Sequence, residues 1–432
     1  MSVARRDERY DAEKPSSFLA LTPSGYLVSV KGLRLPKRCG RAAGRLALAC
    51  ELGSRYCCSA VEAGCAPRGR RKAYEFRCGT GFRCGTVALF DLRPKTSRRD
   101  LFGRERELEQ LHRAVERGLP LIAVLGVRRV GKTSLLKTFL GEVDGIYVDM
   151  RGVVRRVDLE VRVSDALGES LGRLRRFLEG VRGVSVAGFS LEVRWRGRDS
   201  VSLAGLLEEL NRRVERFVFV LDEVQAARPP VSAELRSLLA YAYDNLDRVT
   251  FIVAGSEVGM LRSFLKLEDP SSPLYGRGVL ELPVERFSPE ESREFLIRGF
   301  REEGVEAPPE AVEEAVSFFD GIVGWLVLYG RMYVDGERSF ERLRRAAVEL
   351  ALEELSRLSE REKLVVKAVA HGCKSWAQVR SYIAEETGVV LPKATLSRII
   401  EKLEKLSILK DYEFLDPVYR EASKKLLSAV KL

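Results

Sequence analysis

Apolar and polar positions along this 432-residue chain follow two rhythms after about residue 87 and neither before it. Short apolar runs at 119–125, 146–150, 217–221, 250–254 and 279–282 are rich in β-branched and aromatic residues, and each predicts a strand. Between them, apolar residues three and four apart predict helices over 134–140, 203–214 and 233–244. A capped amphipathic helix over 97–118, with Leu108, Leu111 and Val115 on one face, precedes the first strand. Strand alternating with helix predicts an α/β fold with a five-stranded parallel sheet covered on both faces. The stretch 184–196 alternates with period two and predicts a two-stranded ribbon outside that sheet, read either as a partner surface or as decoration of an edge.

Past Phe287 the period is helical throughout. Ser288, Pro289 and Glu291 form a helix start, because a serine oxygen caps the third amide, proline tolerates the first turn and the glutamate reaches back. Helices are predicted over 288–303, 309–320 and from 324 through 357, a small bundle over the sheet's ligand edge. Ser359 and Glu362 repeat the capping pattern, and helices near 360–370, 375–387 and 393–408 are followed by a short hairpin and a terminal helix. Three helices and a hairpin are the winged-helix plan. The expected division is therefore an extension at 1–86, a core at 87–286, a helical lid at 287–357 and a winged helix at 358–432.

Charge changes that picture only at the ends. The chain carries a formal +11, but residues 1–86 hold 17 Lys and Arg against 7 Asp and Glu, so +10 of it lies in the first fifth. Seven of the eight cysteines also precede residue 87, without a C-x-x-C pair. That excludes a standard zinc ligand set as the first expectation, and it motivates the hypothesis that Val87 is the initiation codon of the native protein. A body with one cysteine, Cys373, and no run of about 18 apolar residues is expected to be cytoplasmic, without a membrane span. Residues 356–432 carry 15 basic and 10 acidic groups, and the third helix of the winged helix aligns Lys393, Thr395, Arg398, Lys402 and Lys405, interrupted by Glu401 and Glu404. Duplex DNA or a protein is the expected partner of that surface.

The chemistry sits on GVRRVGKTSLL, in which Gly126, Val127, Arg128, Arg129, Val130 and Gly131 lead into Lys132, Thr133 and Ser134 between a predicted strand and a predicted helix. Glycines let consecutive amides turn toward one anion, and the helix N-terminus adds positive potential. Lys132 is expected to reach the β- and γ-phosphates and the Thr133 hydroxyl to hold Mg²⁺. The strand at 217–221 ends at Asp222 and Glu223, read as metal ligand and catalytic base. Ser256, after the strand at 250–254, is expected to sense the γ-phosphate if that strand lies between the other two. Arg277 is expected to reach a nucleotide across a subunit interface in a homo-oligomer.

These strings, with LFDLRPKTSRRDLFGRERE, YVDMRG, VAGSEVGML, SPLYGRG and DGIVGWL in the same order, resemble the archaeal P-loop ATPase family within the wider AAA+ and STAND group. The resemblance runs from about Val87 to the C-terminus. It implies ATP as ligand, an adenine contact near Phe102, Gly103 and Arg104, and an ATP-hydrolysing switch that couples nucleotide state to the winged helix. The alternatives are a nucleotide-responsive DNA-binding regulator and an ATP-gated scaffold. The family usually has Gly-x-Pro in the lid, where this chain has Gly321-Ile-Val323-Gly324.

Overall fold

The computed structural model describes residues 88–188 and 190–426 and, ahead of them, the backbone of one antiparallel pair, β1 (Phe18–Leu21) and β2 (Leu27–Val30). The cysteines before residue 87, the zinc question and the start at Val87 lie outside the described residues.

Five strands, β3 (Leu121–Leu125), β4 (Gly145–Asp149), β7 (Phe217–Asp222), β8 (Val249–Gly255) and β9 (Leu280–Pro283), form one parallel sheet in the order β4-β7-β8-β3-β9. The ribbon is β5 (Val184–Ala187) paired with β6 (Ser190–Val193), apart from the sheet. The three central strands are buried at every position, as a parallel sheet covered by helices requires. Alternate residues feed two cores. Leu121, Ala123, Phe219 and Phe251 face one, and Ile122, Val124, Val220 and Ile252 face the other.

Helices α1 (Glu105–Glu116), α2 (Lys132–Glu142), α3 (Arg156–Glu169), α4 (Leu171–Leu178), α5 (Leu203–Arg213), α6 (Val231–Asn245) and α7 (Val258–Leu265) belong to this layer. Helix α1 begins eight residues later than the 97–118 period predicts. Gly103 takes a left-handed φ of +64° and the Arg104 side chain is drawn to the carbonyls of Val130 and Glu285, so the backbone there cannot be helical. Helices α3 and α4 were not expected, since α3 is loaded with valines that also suit strands.

The lid is α8 (Pro289–Glu302), α9 (Pro309–Phe319), α10 (Val323–Val334) and α11 (Phe340–Leu355), with the Ser288–Glu291 capping box in place. The C-terminal part is α12 (Glu360–Ala370), α13 (Trp376–Thr387), α14 (Lys393–Lys405), the hairpin β10 (Leu409–Lys410) and β11 (Glu413–Phe414), and α15 (Pro417–Lys424), the winged-helix plan. Lid and winged helix share one continuous hydrophobic core. Among the described residues no helix is long and apolar enough to cross a membrane.

The chain enters this body through the lid. Leu89 and Phe90 are buried among lid side chains, and the Phe90 ring lies edge-on to Phe295 and Phe300 in a slot floored by Gly299 and Gly330. A Cβ at either glycine would stand 2.3 Å from that ring, so the two bare positions make room for it. Phe90→Ala is expected to cost about 3–5 kcal/mol by emptying the slot. Chemical denaturation followed by tryptophan fluorescence checks this, Trp325 being a buried reporter in the same core.

Candidate functional site

Strand β3 delivers the loop Gly126–Gly131 to the carboxyl edge of the sheet, where α2 begins at Lys132. Gly126 has no room for a side chain, since a Cβ would come within 2.5 Å of the Val284 carbonyl, and Gly131 caps α2 at a φ of +97°. Lys132 is only 5% exposed. Its Nζ donates to the carbonyls of Gly126 at 2.7 Å and Val127 at 2.8 Å, folding back into its own loop. Burial pulls its pKa down to about 8, against the upward pull of Glu223 and Asp222.

Parallel pairing of β3 and β7 on either side of β8 brings the other predicted residues to the same edge. The Thr133 hydroxyl donates to Asp222 Oδ2 at 2.8 Å, and Asp222 Oδ1 accepts the Glu223 amide at 2.9 Å. Glu223 sits at a left-handed φ of 52°, turning its carboxylate toward the end of β8. There its Oε2 accepts the Ser256 hydroxyl at 2.9 Å and the Ser256 amide at 3.3 Å. Sequence reasoning missed two partners. Tyr147 donates its hydroxyl to Asp222 Oδ2 at 2.6 Å, and Gln225 Nε2 donates to Glu223 Oε2 at 2.5 Å. Tyr147 was signalled only by register, because Asp149 pairs with Asp222 and so Tyr147, two residues back, shares the acid's side of the sheet. Burial and the Asp222 carboxylate both push the Tyr147 phenol pKa up, keeping it a donor.

A cleft of about 1320 Å³ opens over these groups, bounded by the phosphate-type loop, by Phe102 and Arg104, and by the lid residues Val323 and Gly324. Phe102 packs edge-on against Phe287 and Phe295, and Gly103 turns the chain so closely that a Cβ would lie 3.2 Å from the Phe287 ring. Ser134 also lines the cleft, and its hydroxyl accepts the Lys95 amide at 3.1 Å. The lid turn rests on the loop without the family's proline. Gly324 N donates to the Arg129 carbonyl at 2.8 Å, and Val323 Cγ1 stands 3.4 Å from where a Gly131 Cβ would be. Arg277 is not among the residues around the cleft. It pairs with Asp244 at the end of α6, its Nε 3.1 Å from Oδ1. The oxygen donors of Thr133 and Asp222 are the hard, compact set that Mg²⁺ takes alongside phosphate and water, so the residues present fit that ion.

Comparison with known proteins agrees with this fold. A model described as an ATPase domain predominantly from Archaea matches residues 101–328, and one described as the MCM protein C-terminal winged helix-turn-helix domain matches residues 357–421. No curated protein matches the chain. The solved Walker-type ATPase paby2304 of Pyrococcus abyssi is 35% identical over 78% of this chain and 99% of its own, with a TM-score of 0.67. The ORC2 protein of Aeropyrum pernix, solved as ADPNP-ADP complexes, is 16% identical over 78% of this chain and 96% of its own, with a TM-score of 0.50, a likeness of fold alone.

Proposed function

The chain belongs to the family of ATPase domains found predominantly in Archaea, and from that premise we propose that it binds ATP with Mg²⁺ between core and lid, hydrolyses it, and couples nucleotide state to a winged helix that acts on DNA. The meeting of Lys132, Thr133, Asp222, Glu223 and Ser256 at one sheet edge carries the reading.

In this mechanism the loop amides and the Lys132 ammonium cradle the phosphates, Lys132 giving up its two carbonyl partners for phosphate oxygens. Thr133 and Asp222 would hold Mg²⁺, which when bound supplies positive charge to the β- and γ-oxygens. Tyr147 orients Asp222 through the oxygen that Thr133 also contacts. Glu223, held by Ser256 and Gln225, takes the proton of the attacking water, and Ser256 reports the γ-phosphate through the same carboxylate. Phe102 and Arg104 line the cleft on the side where adenine would lie, with Gly103 turning the chain between them. Arg277, held outside the cleft by Asp244, would act on the nucleotide of a neighbouring copy.

DNA is favoured as partner by the free half of α14. Lys402 is engaged by Glu362 at 2.7 Å, and Lys405 bonds Glu401 and packs its backbone on Gly259 of the core. Lys393, Ser397 and Arg398 remain exposed at the helix's N-terminal half, the end that enters a major groove. Phosphate release by the full chain, measured with and without duplex DNA across a salt series, tests the whole reading. Slow release that DNA alters, with DNA affinity falling linearly in log salt, is expected. DNA binding without any release would leave the static regulator; release indifferent to DNA would turn the winged helix toward a protein.

A further inference from the structure

The two arginines of the loop, Arg128 and Arg129, both reach the same acid. Arg128 Nη2 lies 2.7 Å from Glu257 Oε1, and its Nη1 lies 3.3 Å from Glu354 Oε2. Arg129 pairs with Glu354 through both of its terminal nitrogens, one at 3.4 Å, while its guanidinium lies 3.9 Å above the Trp325 ring. Glu354 stands at the end of α11 and also accepts the hydroxyl of Tyr419 on α15. Trp325 completes a second link to α15 by donating Nε1 to the buried Asp416, its N-cap, at 2.9 Å. The same cleft that holds Lys132 and Thr133 is lined by Arg128, Arg129, Glu257 and Glu354.

Burial pushes the Glu354 carboxyl up, but hydrogen bonds from Arg129 and Tyr419 and the two guanidinium charges outweigh it and hold it below the ordinary range. It is therefore an anion, balanced by the loop's own cations. A triphosphate entering the cleft brings several negative charges within a Debye length of Glu354 and offers Arg128 and Arg129 a better bidentate acceptor. The Arg128 side chain is 41% exposed and able to turn toward it.

Resting on the nucleotide site proposed above, we infer that Glu354 is a positioning residue that competes with the nucleotide's phosphates for Arg128 and Arg129, so that filling the cleft frees Glu354 from the loop and leaves it to Tyr419. Nucleotide binding and Tyr419 docking are thereby coupled, reciprocally by linkage, because the arginines and Tyr419 donate to the same Glu354 oxygen. It reaches α15 without passing through the sheet, because Glu354 touches both the loop and Tyr419.

Glu354→Gln keeps the shape and removes the charge. Titration of the full chain with Mg·ATP by calorimetry is expected to give a dissociation constant about tenfold lower than the parent's. Amide exchange at α15 should be faster than in the parent before ATP is added and should change less on adding it. Tyr419→Phe, which keeps the carboxylate and removes one of its donors, should leave affinity equal to the parent's or slightly weaker, and Glu354→Asp, which keeps the charge, should stay nearer the parent than Glu354→Gln. A merely structural role predicts weaker ATP binding in the Gln variant. Equal or weaker binding by Glu354→Gln overturns the competition while leaving the site intact. Should that variant fail to fold by its thermal transition, Glu257→Gln, which removes the other acid paired with Arg128, decides by the same sign. A parent that binds Mg·ATP no better than Lys132→Ala removes the nucleotide reading itself.

Discussion

Lys132→Ala is expected to weaken Mg·ATP binding by at least about a hundredfold, since two charge-assisted hydrogen bonds at about 1.5–3 kcal/mol each are lost together. The ammonium is already desolvated, at 5% exposure, and already holds two loop carbonyls at 2.7 and 2.8 Å. Phosphate oxygens would replace those carbonyls as acceptors with no further loss of water, so nearly all of the new electrostatic attraction appears as affinity. Burial, the leading cause, sets the free protein's Lys132 pKa at about 8, below its ordinary 10.5. The sign follows directly. Phosphate favours the protonated amine, so affinity is full below about pH 8 and falls as pH rises through it. For folding the same depression means that the charged amine carries a burial cost below about pH 8, relieved as pH rises toward 10.5. Calorimetric titrations at about pH 7 and about pH 9 separate the lysine from other groups, because Lys132→Ala should lose the pH dependence along with the affinity. An unchanged constant in the variant would remove Lys132 from the site.

The parts of this site that were readable from sequence are those governed by neighbours in the chain. A strand, a glycine loop and a helix start within a dozen residues specify where Lys132 and Thr133 stand, and an apolar strand running into Asp222 and Glu223 specifies the acids. Ser256 was legible one step further out, since its place depends on β8 lying between β3 and β7, which the sheet order bears out. Contacts spanning many residues left no such mark. Glu354 meets Arg129 from 225 residues away and Tyr419 from 65, and nothing in ALEELSRL distinguishes that glutamate from its helical neighbours. The lid shows the converse. Absence of the usual proline put attention on Val323, yet the contact with the loop is made by backbone, Gly324 N to Arg129 O, and depends on a glycine bare enough to let the two chains touch.

Glu223→Gln is expected to keep Mg·ATP affinity within about threefold and to lower turnover by about 10²–10⁴, the usual contribution of a general base. Binding survives because every donor that holds the side chain still finds an acceptor. The amide oxygen can take the Ser256 hydroxyl and the Gln225 amide as the carboxylate does, at 2.9 and 2.5 Å here, and the left-handed turn at residue 223 is unaffected. Chemistry fails because an amide has no basic site to receive the water proton. Asp222→Asn separates the two acids. Asp222 gathers Thr133, Tyr147 and the Glu223 amide on its two oxygens, so turning one oxygen into NH₂ sets donor against donor at a group only 1% exposed, weakening Mg²⁺-dependent binding as well as turnover. Single-turnover phosphate release beside equilibrium binding distinguishes them: Glu223→Gln should lose the first and keep the second, Asp222→Asn should lose both. If Glu223→Gln releases phosphate at the parent rate, the proton goes elsewhere, and the clamp of Ser256 and Gln225 on Glu223 holds the end of β8 to β7 instead of preparing a base.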